Sequence, residues 1–120
     1  MAYVIRDVDH RHLGTSVGSG QCVALVQAWG HVPLTATWRA GEKVKGNTYI
    51  DKGTVIATMV DGHYPNHAHG NHAAIYLGQD HTGIQVIDQW SGQVSHRRTI
   101  HFNGGHGSPS NDGDKFYVVE

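Results

Sequence analysis

The sequence predicts an α+β fold in which an N-terminal buried helix packs on an antiparallel β-sheet of about five strands. Three observations support this prediction: a short apolar segment lies near the N-terminus, β-branched segments fill most of the remainder, and sixteen glycines indicate frequent turns. Because a helix precedes a series of strands and does not alternate with them, we expect it to cover one face of a single sheet. At 120 residues, the chain is expected to form one domain, residues 1–120.

The helix is predicted from the segment GSGQCVALVQAWG, residues 18–30, which contains the only cysteine of the chain. Ser19 is a suitable N-cap, which would place Cys22 at about the third helical position. Apolar residues surround the predicted helix on all sides, and this pattern is typical of a buried helix. Gly30 is a natural C-terminal end, and Pro33 follows at the expected distance.

Strands are predicted for most of the chain beyond the helix. They are segments rich in β-branched residues and bounded by turn residues. The segments are GTVIATMV (53–60), HAAIYLG (72–78), IQVIDQW (84–90), VSHRRTIHF (94–102) and KFYVVE (115–120). The second and third are joined by QDHTG, a loop of the length usual in a β-hairpin. Residues 63–71 and 103–114 are expected to be loops because they are rich in Pro, Gly and Asn.

The composition excludes several classes of function. Nine Lys and Arg against ten Asp and Glu leave no charge excess for binding nucleic acid or a membrane surface. One cysteine cannot form an internal disulfide, and no apolar run is long enough to span a membrane. The N-terminus lacks the layout of a signal peptide, so action outside the cytoplasm would require export or delivery by another system. We expect a monomer that needs no cofactor.

Cys22 is a candidate nucleophile because of its place at the start of the predicted helix. Free amide N–H groups and the positive end of the helix dipole gather there, and both stabilise a thiolate. The same N–H groups can hold a developing oxyanion. A thiolate nucleophile needs a proton partner, and His72 is the best candidate because it opens a predicted strand and so faces the open end of the sheet.

The imidazole of His72 needs a third group to orient it, and the following strand offers Asp88. If the hairpin loop has an odd number of residues, His72 and Asp88 share a face of the sheet, whereas with an even loop Gln89 takes that place. The sequence does not fix the register. We favour Asp88 because a carboxylate both orients and stabilises an imidazolium.

These segments resemble the CHAP family of cysteine, histidine-dependent amidohydrolases and peptidases, which are relatives of the NlpC-type cell-wall amidases. SGQCVALVQAW is similar to the nucleophile segment of that family, GNHAAIYLG to its histidine strand, and IQVIDQW to the strand that carries the acid. The resemblance implies a papain-like core with Cys22 as nucleophile, His72 as base and Asp88 as orienting group. Two residues depart from the family pattern: Trp90 stands where Asn is common, and Asn71 interrupts the usual Gly-His pair.

The resemblance also implies a substrate, the amide bonds of bacterial peptidoglycan in its stem peptides or at the sugar–peptide link. A catalytic domain delivered by other machinery would be an antibacterial effector or a lysin acting on the cell wall, and an immunity protein is then a candidate partner. The Cys22 N–H and the Gln21 side chain are candidates for holding the oxyanion. Further candidates for binding the substrate are Tyr64, Asn66, Gln89 and Trp90.

Three alternatives remain open. The segment HYPNHAHGNH contains a His-x-His-x-x-His pattern, which can ligate zinc or nickel. The candidate ligands are His63, His67, His69 and His72. A cysteine acyltransferase or thioesterase of the same fold would keep the thiol and change the acyl chemistry. A non-catalytic interaction module would keep only the fold, with a thiol of ordinary reactivity.

Overall fold

The computed structural model describes residues 1–65 and 67–120 of the chain. In this part of the chain, one α-helix lies beside an antiparallel sheet of six strands. The elements are α1 (Cys22–Gly30), β1 (Ala40–Lys43), β2 (Val55–Thr58), β3 (Ala73–Gln79), β4 (Gly83–Trp90), β5 (Gln93–His101) and β6 (Phe116–Val119). The strands lie in the order β1-β6-β2-β3-β4-β5. The predicted α+β class is confirmed, and the additional strand is the short polar segment AGEK, which pairs with β6 at the edge of the sheet.

Helix α1 packs on one face of the sheet, against β3 and β4. Leu25 and Val26 are completely buried there, in an apolar cluster with Ile75 and Ile87. The prediction that the helix is buried on all sides was wrong, because Ala28 is exposed. The remaining apolar side chains of the helix, Val23, Ala24 and Trp29, are half-buried, and Arg11 lies over the Trp29 ring.

The helix begins at Cys22, which is its first residue and not its third. Gly20 has a φ of +88°, a left-handed conformation that interrupts the helix before Gln21. Gln21 is therefore the N-cap, and the Ser19 hydroxyl accepts a hydrogen bond from the Gln21 N–H. At the other end, His31 takes a left-handed conformation and ends the helix. Within the described part of the chain, none of the helices has the length and apolar character needed to cross a membrane.

The opposite face of the sheet carries a second apolar cluster. Tyr76, Val86 and Phe116 are buried in it. Side chains alternate between the two faces along a strand, so β3 directs Ile75 to the helix side and Tyr76 to the other side.

A register shift in the β3–β4 hairpin decides which side chain of β4 shares a face with His72. Next to the turn, four residues separate the last paired residues of the two strands. This even loop alone would bring Gln89 to the face of His72. A β-bulge at Leu77 then adds one residue to β3 and shifts the pairing, so that Asp88 takes that place.

The N-terminal segment lies along β2 and is held by backbone hydrogen bonds. The Val55 N–H donates to the Tyr3 carbonyl oxygen, and the Ile5 N–H donates to the Gly53 carbonyl oxygen, each at 2.8 Å. Gly53 has a φ of +96°, and the Ile5 carbonyl oxygen lies 2.2 Å from the position that a Cβ on Gly53 would take. Only glycine therefore fits this position without movement of the backbone.

Candidate active site

His72 and Asp88 meet at the end of the sheet nearest the start of α1. His72 directly precedes β3, and Asp88 lies in β4 on the face selected by the bulge. The Nε2 atom of His72 lies 2.7 Å from the Oδ2 atom of Asp88, and both side chains are buried. The structure therefore brings His72 together with Asp88, and Gln89 does not take that place.

Two side chains from β5 also hold the Asp88 carboxylate. The Nε2 atom of His96 lies 2.9 Å from Oδ1, and the Nε of Arg98 donates to Oδ2 at 2.7 Å. The Arg98 guanidinium also lies over the Trp90 ring, 5.0 Å from the ring centre. Together with His72, these groups enclose a carboxylate that has no exposed surface.

Sequence patterns did not identify His96 and Arg98. One signal was available, because the two residues stand two apart in a strand and therefore share a face. Their partner was not predictable, since a second register shift lies between Asp88 and Trp90. Without this shift, Asp88 would pair with Ser95 and not with His96.

Cys22 is half-buried at the first position of α1. Burial works to raise the pKa of its thiol, but the His72 imidazole, the Ala73 N–H and the Tyr64 hydroxyl lie close to the sulfur and lower it. The net pKa lies below the ordinary value, so a larger fraction of the thiol is ionised than in a free cysteine. Burial and the neighbouring sulfur raise the pKa of Tyr64, which keeps its hydroxyl protonated as a hydrogen-bond donor.

The pKa shifts of His72 and Asp88 are in the directions that favour a thiolate beside them. Burial works to lower the pKa of His72, but its hydrogen bonds with Asp88 and Cys22 and their charges raise it above the usual value. Burial works to raise the pKa of Asp88, while His72 and Arg98 lower it below the usual range. Relative to the same groups free in water, these shifts favour the thiolate, the imidazolium and the carboxylate. Because Nε2 of His72 bonds Asp88, Nδ1 is the ring nitrogen left for the sulfur.

A cleft of about 660 Å³ opens over Cys22 and His72. One of its walls is the histidine-rich segment that precedes His72. Three of the residues expected to bind substrate line the cleft, namely Gln21, Tyr64 and Trp90. Trp90 is 39% exposed and so does not belong to the core. Asn66, also expected to bind substrate, lies outside the described residues.

Gln89 does not line the cleft, contrary to the expectation that it binds substrate. Its side chain points to the face of the sheet opposite to that of Asp88 and is completely buried. Its Oε1 accepts a hydrogen bond from the Val17 N–H at 2.9 Å. Its Nε2 donates to the carbonyl oxygens of Val17 at 2.8 Å and Gln21 at 2.9 Å. The amide of Gln89 is thus fully engaged by the loop that precedes α1.

The histidine-rich segment does not assemble a metal site in the described residues. No group of three or more His, Cys, Asp or Glu side chains in residues 1–65 and 67–120 is arranged to hold a metal ion. His63 forms backbone β-bridges, whereas His67 and His69 line the cleft. His72 is bonded to Asp88, so the four histidines do not converge.

Comparisons with known proteins relate the chain to amidase effectors. The family model "Domesticated amidase effector 2" matches residues 3–119. The chain is 41% identical over 112 residues to the type VI secretion amidase effector 2 protein of Salmonella typhi, and the match covers 83% of this chain and 84% of the relative. It is 38% identical over 108 residues to domesticated amidase effector 2 of Ixodes scapularis, with 87% and 73% covered.

The fold is similar to a solved structure with a related name. The structure of type 6 secretion amidase effector 2 (Tae2) superposes on this chain with a TM-score of 0.90. The two chains are 38% identical, and the match covers 98% of this chain and 94% of the other.

Proposed function

This chain belongs to the domesticated amidase effector 2 family and is an amidase, and from this premise we propose that it hydrolyses an amide bond of bacterial peptidoglycan through a thioester on Cys22. The observation that supports the proposal is that Cys22 and His72 line the same open cleft and that Asp88 bonds His72. A thiolate, an imidazolium and an orienting carboxylate are the groups that nucleophilic acyl chemistry requires.

The first half of the reaction forms the thioester. The Cys22 thiolate attacks the carbonyl carbon of the amide, a C–S bond forms, and the carbonyl π electrons move onto the oxygen. The Cys22 N–H and the side chain of Gln21, which lines the cleft, donate hydrogen bonds to this oxyanion. The C–N bond then breaks, and the imidazolium of His72 gives its proton to the leaving nitrogen.

The second half of the reaction hydrolyses the thioester. His72 removes a proton from a water molecule, the water oxygen attacks the thioester carbon, and the C–S bond breaks to return the thiolate. The products are an amine and a carboxylic acid that ionises in water. Asp88 holds the imidazole at Nε2 during both halves, so that Nδ1 stays directed at the reacting atoms.

The name of the Salmonella typhi relative suggests a route to the substrate, since that protein is called a type VI secretion effector. We propose that this chain is likewise delivered to the periplasm of a target cell and acts there on the cell wall, with an immunity protein as its partner. We also propose that it is a monomeric single domain of the CHAP/NlpC superfamily with a papain-like core. The chain order of Cys22, His72 and Asp88 supports that assignment.

Digestion of purified sacculi tests the proposed function. The protein should release muropeptides that carry one newly freed amine and one newly freed carboxylate, and mass spectrometry of these products identifies the bond. Cys22→Ala and Cys22→Ser should lower the release by about 10⁴-fold or more, because neither side chain forms the thioester.

His101→Ala is a suitable control, since His101 is exposed at the far end of β5. It should digest sacculi as well as the parent, and all variants should unfold at similar temperatures. Parental release by Cys22→Ala would exclude the thioester mechanism. Transfer of the acyl group to an added amine, with no hydrolysis, would favour the acyltransferase alternative.

A further inference from the structure

Asp88 and Gln89 are adjacent in β4, and their side chains form hydrogen bonds on opposite faces of the sheet. Asp88 bonds His72, and Gln89 bonds the loop before α1. Gln89 has no exposed surface, and the mechanism above does not use it. Its three hydrogen bonds occupy the amide oxygen once and both amide hydrogens. A buried amide is stable only when it is partnered in this way, so the loop and Gln89 are fitted to each other.

The bond to Gln21 fixes the orientation of the peptide group between Gln21 and Cys22. The Gln21 carbonyl oxygen accepts from Nε2 of Gln89 at 2.9 Å and from the Ala24 N–H at 3.1 Å. A trans peptide is planar, and its C=O and N–H point in opposite directions. Because the carbonyl points to the buried Gln89, the Cys22 N–H points away from Gln89.

The Cys22 N–H is available for a substrate atom. Among residues 1–65 and 67–120, none accepts a hydrogen bond from it. This is expected for the first residue of a helix, whose N–H has no partner within the helix. Gln21 and Cys22 both line the cleft, so the oriented N–H lies at its wall.

We propose that Gln89 is a positioning residue of the amidase reaction, which orients the Gln21–Cys22 peptide so that the Cys22 N–H holds the oxyanion. The inference rests on the proposed function. Both positioning residues then lie in β4: Asp88 orients the His72 imidazole, and Gln89 orients the peptide that donates to the oxyanion. The bonds of Gln89 to Val17 hold the start of the same loop.

Two reactions of the same thiol separate this role from a merely structural one. Alkylation of Cys22 by iodoacetamide is a displacement at a saturated carbon, so it forms no oxyanion. Amide hydrolysis forms an oxyanion and needs the oriented N–H. Loss of the positioning residue should therefore slow hydrolysis and leave the rate and pH profile of alkylation unchanged.

Gln89→Met tests the proposal, because it nearly keeps the side-chain volume and removes the three hydrogen bonds. The matched control is Gln79→Met in β3. Gln79 makes the same pattern of bonds to a different loop, to the Val44 and Asn47 carbonyl oxygens at 2.8 and 3.0 Å and from the Gly46 N–H at 2.8 Å. On a muropeptide that the parent cleaves, Gln89→Met should lower kcat by about 100-fold with little change in KM. Gln79→Met should keep the parental kcat.

Parental kcat in Gln89→Met would overturn the proposal, and so would an equal fall of hydrolysis and alkylation. If Gln89→Met does not fold, Gln89→Asn decides, since its amide is set back by one methylene group. It should show a smaller loss of kcat with parental alkylation, and parental kcat would again overturn the proposal. Activity of Cys22→Ala on the same muropeptide reports separately on the proposed function.

Discussion

The carboxylate of Asp88 is completely buried, and three side chains supply the hydrogen bonds that water would otherwise give. An unpaired carboxylate in such a place would cost several kcal/mol and would take up a proton. Arg98 carries a permanent positive charge, so Asp88 stays ionised while His72 gains and loses its proton. At this scale, the proposed chemistry depends on Arg98 and His96, which hold the Asp88 carboxylate, as well as on Cys22, His72 and Asp88.

Replacing His72 by Gln should raise the pKa of the Cys22 thiol. The imidazole lowers this pKa by its hydrogen bond and its charge, whereas burial works in the opposite direction and would remain. The rate of iodoacetamide alkylation, followed against pH, should therefore move its midpoint to higher pH. Amide hydrolysis should fall by about 10⁴-fold, because the leaving nitrogen no longer receives a proton.

His96→Gln is the matched control for this change. His96 bonds the same carboxylate as His72 but is not among the groups that lower the pKa of Cys22. Its replacement should leave the midpoint of alkylation at the parental pH. An unshifted midpoint in His72→Gln would contradict the thiolate–imidazolium pair.

At the scale of elements, two register shifts on either side of β4 build the site. The residue types and their order predict Cys22 and His72 as site residues and leave a choice between Asp88 and Gln89. The choice depends on the β-bulge at Leu77. In the sequence near the bulge, the neighbouring Gly78 is the residue that would indicate it. A bulge depends on packing across three strands, so the sequence of one strand does not predict it. The same limit explains why the pairing of Asp88 with His96 was not foreseen.

Gly53→Ala should detach the N-terminal segment from β2. An added Cβ would lie 2.2 Å from the Ile5 carbonyl oxygen, and the φ of +96° is unfavourable for alanine. Urea unfolding should show a loss of about 3 kcal/mol in the free energy of unfolding, from backbone strain and overlap together.

Gly46→Ala isolates the contribution of the backbone conformation alone. Gly46 has a φ of +81°, and nothing lies within 4 Å of the position of its Cβ. Its replacement should cost about 1 kcal/mol. Equal losses in the two variants would show that contact with Ile5 does not constrain Gly53.

At the scale of the whole molecule, the buried charges make stability depend on pH. The pKa of Asp88 is lowered in the folded state, so its contribution is complete above its unfolded pKa of about 4 and is lost as the pH falls toward the folded value. The pKa of His72 is raised, so its contribution is complete below its unfolded pKa of about 6.5 and is lost as the pH rises through the folded value. Both contributions are present together between these two limits.

Asp88→Asn should lower the free energy of unfolding by about 3 kcal/mol at pH 6, because it leaves three donors without their charged acceptor. The difference from the parent should shrink below about pH 4, where the Asp88 carboxylate of the unfolded parent takes up a proton. Urea unfolding at a series of pH values measures both effects. Asp51→Asn is the control, since that carboxylate is 67% exposed, and its effect should be small at every pH.

The fold class was predictable because turn residues separate the apolar segments and because the segments that follow the helix are rich in β-branched residues. The predicted start of the helix was wrong. Ser19 has a suitable side chain for an N-cap, but Gly20 has a left-handed backbone conformation, so the helix cannot begin there and Gln21 is the N-cap. The strand β1 was missed because AGEK contains no β-branched residue and is held by its pairing with β6. Local composition thus predicts where most helices and strands lie, whereas tertiary contacts determine the residues at which they begin and end.

The side chains of Asp88 and Gln89, which point to opposite faces of β4, also bear on when activity arises during folding. While β4 is not yet docked between β3 and β5, the sulfur has neither an oriented imidazole nor an oriented amide beside it. Under the proposed mechanism, a nascent or partly assembled chain would not cleave amides, and activity would arise in the same cooperative event that completes the sheet.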